Sequence, residues 1–218
     1  TDRSYEIVSR QGAKQLRAPE RVEWEVETMQ KQGYDHFMLK EIFEAPAVVE
    51  NTIRGRLLVE RGRAKLGGLE SYRAQLAELE RLTIVGCGSA YYAGLVGRCF
   101  LEETVGLPVD VELGSEYRHK RIFPSPKHAV VAVSQSGETA DTLASIRLAK
   151  REKIPVFGIV NVVGSSIARD VDAGVYNHAG PEVAVASTKA FISQLTVLAL
   201  LTLFIGRERG MSLEDGQQ

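Results

Sequence analysis

The sequence predicts an α/β fold, a three-layer sandwich in which a five-stranded parallel sheet is flanked on both faces by helices. Three observations carry this. Apolar runs of strand length occur at 82–86, 109–113, 129–134, 155–161 and 174–177. Helical patterns at 90–103, 139–152 and 165–170 separate most of them, the alternation that parallel strands joined by crossover helices require. Small polar turns follow two of the runs, at the end where such a sheet presents its carboxyl edge.

Residues 1–45 hold Trp24, Tyr34, Phe37 and Phe43 among charges, with no sustained period of 2 or 3.6, and read as an extended linker arm with short helical pieces. Pro46 suits the first position of a helix. Val48, Val49, Ile53, Leu57 and Leu58 then place an apolar stripe on a helix running through Arg61. Gly62 and Gly67-Gly68 interrupt the pattern. A second amphipathic helix is expected over Leu69–Leu82, with Leu69, Tyr72, Leu76 and Leu79 on its inner face, leading into the first strand. The final helix is expected over Ser187–Arg207, where Leu195, Leu198, Leu201 and Phe204 sit among further apolar residues. A helix apolar nearly all round is either central to the core or covered by a partner. After Gly210 the sequence turns polar.

The 218 residues are 44% hydrophobic and 25% charged with a formal net charge of −1. That is ordinary globular composition for one main core plus an appendage, and it gives no bulk-charge basis for binding nucleic acid. No eighteen-residue uninterrupted apolar run and no basic–apolar leader is present, so a membrane span is not expected. Cys87 and Cys99 sit in apolar settings without a C-x-x-C partner, which disfavours metal and disulfide frameworks and suits a reducing cytosol. Thr1 stands where an initiator methionine would, as in a processed product or an excised piece of a longer chain.

The turn Ser134-Gln135-Ser136-Gly137-Glu138-Thr139 lies between a strand and a helix. There the first helical N–H groups lack intrahelical partners and can bind an anion. One serine suffices to cap a helix, whereas three hydroxyls, an amide and a glycine in six residues exceed what capping needs. The turn lacks a lysine and the G-x-x-x-x-G-K-[ST] spacing, so a monophosphate fits better than a nucleoside triphosphate. Glu138 is read as complementing its helix N-terminus. Gly86-Cys87-Gly88-Ser89 is a second strand-to-helix turn. It is half of a dinucleotide fingerprint, but Tyr91 stands where G-x-G-x-x-G needs glycine. Cys87 has no base identifiable among His36, His119, His128 and His178, and reads as a small buried thiol. The third turn, Val183 to Lys189, places Ser187 and Thr188 before the long helix, each a natural N-cap. The three turns converge on one crevice if all open at the carboxyl edge.

Four stretches together carry a specific likeness: Phe37-Met38-Leu39-Lys40-Glu41-Ile42-Phe43-Glu44 with Pro46, Gly86-Cys87-Gly88, Ser134 to Thr142, and Ala184-Val185-Ala186-Ser187-Thr188-Lys189-Ala190-Phe191. With them the chain resembles the sugar isomerase (SIS) domain family, most closely the first such domain of the glutamine–fructose-6-phosphate aminotransferases. The resemblance implies a flavodoxin-like, nucleotide-binding-type topology. It implies that Ser134, Gln135, Ser136 and Thr139 hold the phosphate of fructose 6-phosphate while Ser89, Val185 and Ser187 contact the sugar. The family commonly has Thr-Ser where Ser89-Ala90 stand, so Ala90 offers no hydroxyl. On this resemblance 1–45 is the arm from a missing glutaminase domain, 46–210 the first SIS domain, and 211–218 the start of a linker to a missing second SIS domain.

The resemblance further implies a cytoplasmic, dimeric parent enzyme that makes glucosamine 6-phosphate without metal or organic cofactor. Its ring-opening and proton-transfer groups lie in the second SIS domain, so no catalytic residue is assigned here and the fragment alone is expected to bind a phosphosugar without turnover. Two other readings exist. A sugar-phosphate sensor of a regulator would carry a basic or helix-turn-helix segment near its N-terminus, which 1–45 does not offer. A single-domain phosphosugar isomerase needs its own base in the crevice, where Glu138 is the nearby candidate.

Overall fold

The computed structural model describes residues 6–9, 11–15 and 30–217; Thr1 and Trp24 lie outside them. Strands β1 (Ile7–Val8) and β2 (Lys14–Gln15) form a minimal antiparallel pair. Helices α1 (Phe37–Phe43) and α2 (Ala45–Ile53) follow, with Pro46 in the first turn of α2. The helix expected to run to Arg61 ends at Ile53. Gly55 takes a left-handed φ of 70°, and Leu57–Leu58 (β3) then pair with Arg63–Ala64 (β4) around a 3₁₀ turn at Val59–Arg61. The helix expected over Leu69–Leu82 is a 3₁₀ stretch at Gly67–Tyr72 followed by a short α3 (Arg73–Ala77). The cause lies at Gly68, where any Cβ would collide with the carbonyl oxygen of Gly174; backbone packed that closely on the sheet edge leaves no room for an α-helical turn with side chains.

The five-stranded sheet then forms as expected. Its strands are β5 (Arg81–Gly86), β6 (Val109–Leu113), β7 (His128–Ser134), β8 (Val156–Val160) and β9 (Ala173–Tyr176), all parallel, in spatial order β6-β5-β7-β8-β9. Helices α4 (Ser89–Val105), α5 (Gly114–Tyr117), α6 (Ala140–Arg151) and α7 (Ser166–Asp170) connect them, and α8 (Lys189–Glu208) follows β9. A short α9 (Leu213–Gln217) returns along the 59–62 turn, its backbone touching Gly62; it occupies the polar tail that the sequence left without structure.

Strand side chains divide by alternation. Leu82, Ile84, Val131, Val133, Phe157 and Ile159 face a core with Leu76, Leu101, Val197, Leu198, Leu201, Phe204 and Ile205. Val85, Val130, Ala132, Val156 and Val160 face the opposite core with Tyr117, Ile146, Leu148, Ala149 and Ile167. Because both faces are covered, β7 and β8 are buried throughout, which is why they read as continuous apolar runs rather than alternating ones. Helix α8 has the length and mean hydropathy of a membrane span, but 67% of that window is buried within the structure, so its apolar residues serve as core.

The strand order reverses at β5 and β7. From β5 the chain goes outward to β6, then returns to the other side of β5 as β7. At such a point the two connections leave in opposite directions and open a crevice at the carboxyl edge. Helix α8 is aligned to the same edge by its packing on α4. Leu198 fills the space where a Cβ on Gly97 would come within 2.9 Å of it, and Val105 lies against Gly206. Both pairs have nearly the same sequence offset, so the helices run parallel and both start at the carboxyl edge.

Gly97→Leu should destabilise the chain by about 1–3 kcal/mol, the cost of overpacking a filled helix contact, measured by urea unfolding; an unchanged midpoint would contradict the α4–α8 contact. His128, buried at 4% exposure with Nε2 2.9 Å from Thr83 Oγ1, makes stability depend on pH. Burial, with the Arg81 charge beside it, lowers its pKa. A histidine whose folded pKa is depressed binds a proton in the unfolded state first, so stability is lost as pH falls through the unfolded value of about 6.5. His128→Asn should flatten the loss of stability between pH 7.5 and 5.5, about the range spanning that value. Part of the slope will remain, because burial also depresses His178.

Candidate functional site: the carboxyl-edge crevice

The turn after β7 is built around two hydroxyls. Ser134, 3% exposed, accepts from the Gly137 amide at 3.0 Å, and its Oγ is 3.1 Å from Thr139 Oγ1. Two hydroxyls joined by one hydrogen bond use one of their two protons, so the pair keeps one proton to donate. Ser136 Oγ accepts from the Glu138 amide at 3.2 Å and likewise keeps its proton. Thr139 stands at the N-cap position of α6 without capping through its side chain, so the first N–H groups of the helix stay unpaired. Gln135 is half-exposed beside them. Gly137 has φ 67°, and a Cβ there would also overlap the Ser165 hydroxyl, so only glycine closes this turn. The result is a turn rich in O–H and N–H donors, without a lysine or arginine of its own, the chemistry of an anion cradle.

Glu138 does not complement its own helix, as the sequence suggested. Its carboxylate crosses to the next one, accepting from the Ser166 amide at 2.7 Å, and hydrogen bonding from Ser166 holds its pKa below the usual carboxylate range. Ser165, 3% exposed, brings a hydroxyl without a protein partner among the described residues against Gly137. Sequence reasoning passed over both serines because they sit two elements downstream of the turn they brace.

The second turn follows the neighbouring strand β5. Gly86 is closed against α4, where a Cβ would stand 2.9 Å from the Tyr91 nitrogen, and Gly88 has φ 57° and ψ −130°, a conformation open essentially to glycine. Ser89 starts α4 and is half-exposed. Cys87 is half-buried rather than a fully buried thiol, its Sγ 3.7 Å from Thr142 Oγ1 of α6, and Cys99 is exposed. That sulfur contact joins the first two turns side by side.

The third turn belongs to the same edge through α8, but its construction differs from the expected hydroxyl cap. Helix α8 begins at Lys189, and neither Ser187 nor Thr188 caps it. Glu182 does so instead, its Oε1 accepting from the amides of Thr188 at 2.8 Å and Ala190 at 3.1 Å. The hydroxyls of Ser187 and Thr188 are shielded from solvent and have no protein partner among the described residues. Val185, by contrast, is fully exposed, so its side chain is not brought together with the other predicted contacts.

Residues of the segment read as an arm hold this loop. Glu41 of α1, 2% exposed, accepts from the amides of Val183 at 2.6 Å and Ala184 at 3.2 Å. Glu44 pairs with Lys189 at 2.7 Å, and with Lys40 at 3.5 Å. The sequence displayed both segments as motifs but could not show that one is the clamp of the other. Glu41→Ala should leave two part-buried amides without their carboxylate partner, at a cost of about 1–3 kcal/mol. Hydrogen exchange at Val183 and Ala184 should accelerate while the β7 amides keep their protection; uniform acceleration would mean Glu41 supports the whole fold instead of this loop.

Comparison with known proteins agrees with this fold. A family model described as SIS domain matches residues 75–204. The glutamine–fructose-6-phosphate aminotransferase [isomerizing] of Chlorobaculum tepidum is 44% identical over 212 residues, covering 97% of this chain and 34% of that protein. The protein of the same name from Thermus thermophilus is 42% identical over 219 residues, 100% of this chain and 36% of that one. The chain thus spans about a third of the curated relatives it matches. Among solved structures, the C-terminal domain of glucosamine-fructose-6-phosphate aminotransferase from Francisella tularensis superposes with a TM-score of 0.78 at 37% identity, covering 84% of this chain and 51% of that one. A glucosamine-6-phosphate deaminase from Thermotoga maritima shares the fold, with a TM-score of 0.62 at 20% identity over 84% of this chain and 51% of that one. The family match spans the whole sheet with the turns that end β5 and β7, and the chain belongs to the SIS domain family.

Proposed function

We propose that the crevice binds a phosphosugar, fructose 6-phosphate or glucose 6-phosphate. In this reading the chain is the first SIS portion of a glutamine–fructose-6-phosphate aminotransferase, which forms glucosamine 6-phosphate and glutamate from fructose 6-phosphate and glutamine. The observation that carries the reading is the donor-rich turn at 134–139, beside the β5 turn at the point where strand order reverses. Ser134, Gln135, Ser136 and Thr139 hold the phosphate, with the N-terminus of α6 lending its unpaired amides and dipole. Ser89 and Ser187 meet the sugar hydroxyls, a ligand supplying the partner that the Ser187 hydroxyl lacks. Val185 contacts ligand only if the 183–188 loop turns inward.

This chain supplies position rather than proton transfer. Fixing the phosphate and orienting the sugar removes translational and rotational freedom before the reaction. The acid–base groups and the ammonia source belong to a second SIS domain and a glutaminase domain of the parent, joined through the segments at 211–218 and 1–45. The assignment carries with it a homodimeric parent in the cytoplasm, with no metal or organic cofactor. A self-sufficient isomerase is disfavoured because the crevice carboxylate best placed as a base, Glu138, is engaged by Ser166 and weakened as a proton acceptor.

Titration calorimetry with fructose 6-phosphate should show binding to the chain and its loss in Ser136→Asp, where a like charge meets the phosphate. Equal affinities in two folded proteins would sink the phosphate assignment. Incubation of the chain with fructose 6-phosphate and glutamine or ammonia should yield neither glucosamine 6-phosphate nor glucose 6-phosphate; turnover abolished by Glu138→Gln would show that the base lies in this domain.

A further inference from the structure

The connection from β6 to β7 differs from the other crossovers. It consists of the four-residue α5 and a loop at 118–127, so the sheet face over β5 and β6 is roofed by loop where α6 and α7 cover the remainder. Beneath it lies a cavity of about 100 Å³, lined by Arg81, Thr83, Glu112, Tyr117, Lys120, Arg121, Ile122, Phe123 and His128. Its floor is polar. Tyr117 is 4% exposed and its hydroxyl has no partner among the described residues, a costly state for a buried donor. Thr83 and His128, 2% and 4% exposed, lie beside it, bonded to each other. Burial, and then Glu112, push the Tyr117 phenol up to about 12, so it keeps its proton and acts as a donor.

The mouth is basic. Of the four charged lining residues three are cations. Arg81 is paired with Asp110, and Lys120 with the single lining carboxylate, Glu112. Arg121 has no carboxylate partner among the described residues; its guanidinium rests 5.4 Å from the ring centroid of Phe123, which is itself 74% exposed. A guanidinium without a carboxylate partner among the described residues and a buried phenol donor, lining one cavity, match one ligand chemistry, an anion that accepts hydrogen bonds from both. At about 30 Å³ per water, the space admits a small polyatomic ion.

We propose that this cavity is a binding site for a small oxyanion, phosphate or a short carboxylate, held by the Tyr117 hydroxyl and Arg121 with Lys120 at its mouth. It is separate from the carboxyl-edge crevice and does not depend on the function assigned there.

The test must separate it from that crevice, which would also attract phosphate. Inorganic phosphate is titrated into the Ser136→Asp chain at constant ionic strength by calorimetry, with sodium acetate as a second arm. Phosphate should still bind, and Tyr117→Phe and Arg121→Ala, each added to Ser136→Asp, should each weaken it by at least about tenfold, the scale of a hydrogen bond to a charged group. Tyr117→Phe removes only an unpartnered hydroxyl and Arg121 is exposed, so both variants keep the fold. Acetate displacing phosphate would extend the site to carboxylates, and acetate without effect would restrict it to phosphate; either outcome supports the oxyanion class. Loss of phosphate binding in Ser136→Asp alone, or affinities unchanged by both cavity substitutions, would overturn the proposal. Failure of fructose 6-phosphate to bind the unmutated chain would count against the crevice reading only.

Discussion

The parallel contact between α4 and α8 is the constraint on which the crevice depends. Two helices can approach this closely only where one offers a residue without a side chain, and Gly97 does so under Leu198. A helix that crossed at a steeper angle, or ran the other way, would carry the 183–188 loop away from the carboxyl edge. The β5 and β7 turns would still be neighbours, because the strands that carry them are hydrogen-bonded. Their third companion is placed by the packing of α8 and by the Glu41 contact to Val183 and Ala184, so the shape of the site is a property of the core as much as of the loops.

Charge is managed around the crevice in a consistent way. Three carboxylates stand near its rim, and each is turned onto backbone amides: Glu138 onto Ser166, Glu41 onto Val183 and Ala184, and Glu182 onto Thr188 and Ala190. An acidic group that faced a phosphate directly would repel it, whereas one neutralised by N–H donors braces the loop without that penalty. The donors left over are hydroxyls and helix-terminal amides. Such a set of donors offers many moderate interactions instead of one strong ion pair.

The sheet was legible in the sequence because its strands are short apolar runs buried on both faces, and those of β6, β7 and β8 coincide with the observed elements within a residue. The 134–139 turn was legible for a related reason, since its hydroxyl density exceeds any capping requirement. Two helices were misread. Periodicity continued past Gly55 and resumed at Leu69, but a left-handed glycine ends the first, and the close approach of Gly68 to Gly174 reshapes the start of the second. The second cause is not local. The roles of Glu41, Glu138 and Glu182 were hidden in a similar way, because a carboxylate's partner amide cannot be read from spacing when it lies on another element. Ser187 and Thr188 looked like caps, and their residue types favour that role; the nearby Glu182 reaches the amides first and leaves the hydroxyls over.

The Glu41 contact spans 142 residues of sequence, which gives the crevice a history as well as a shape. During synthesis α1 leaves the ribosome long before the loop it must clamp exists. At about 5–20 residues per second the interval is roughly 7–28 s, ample time for the sheet to assemble around β5 and β7 while the N-terminal helix waits undocked. Closure of so long a loop is also a late and slow event by topology. The crevice therefore matures last, after the scaffold that supports it, and a nascent chain stalled before residue 183 would own the sheet with an unfinished crevice.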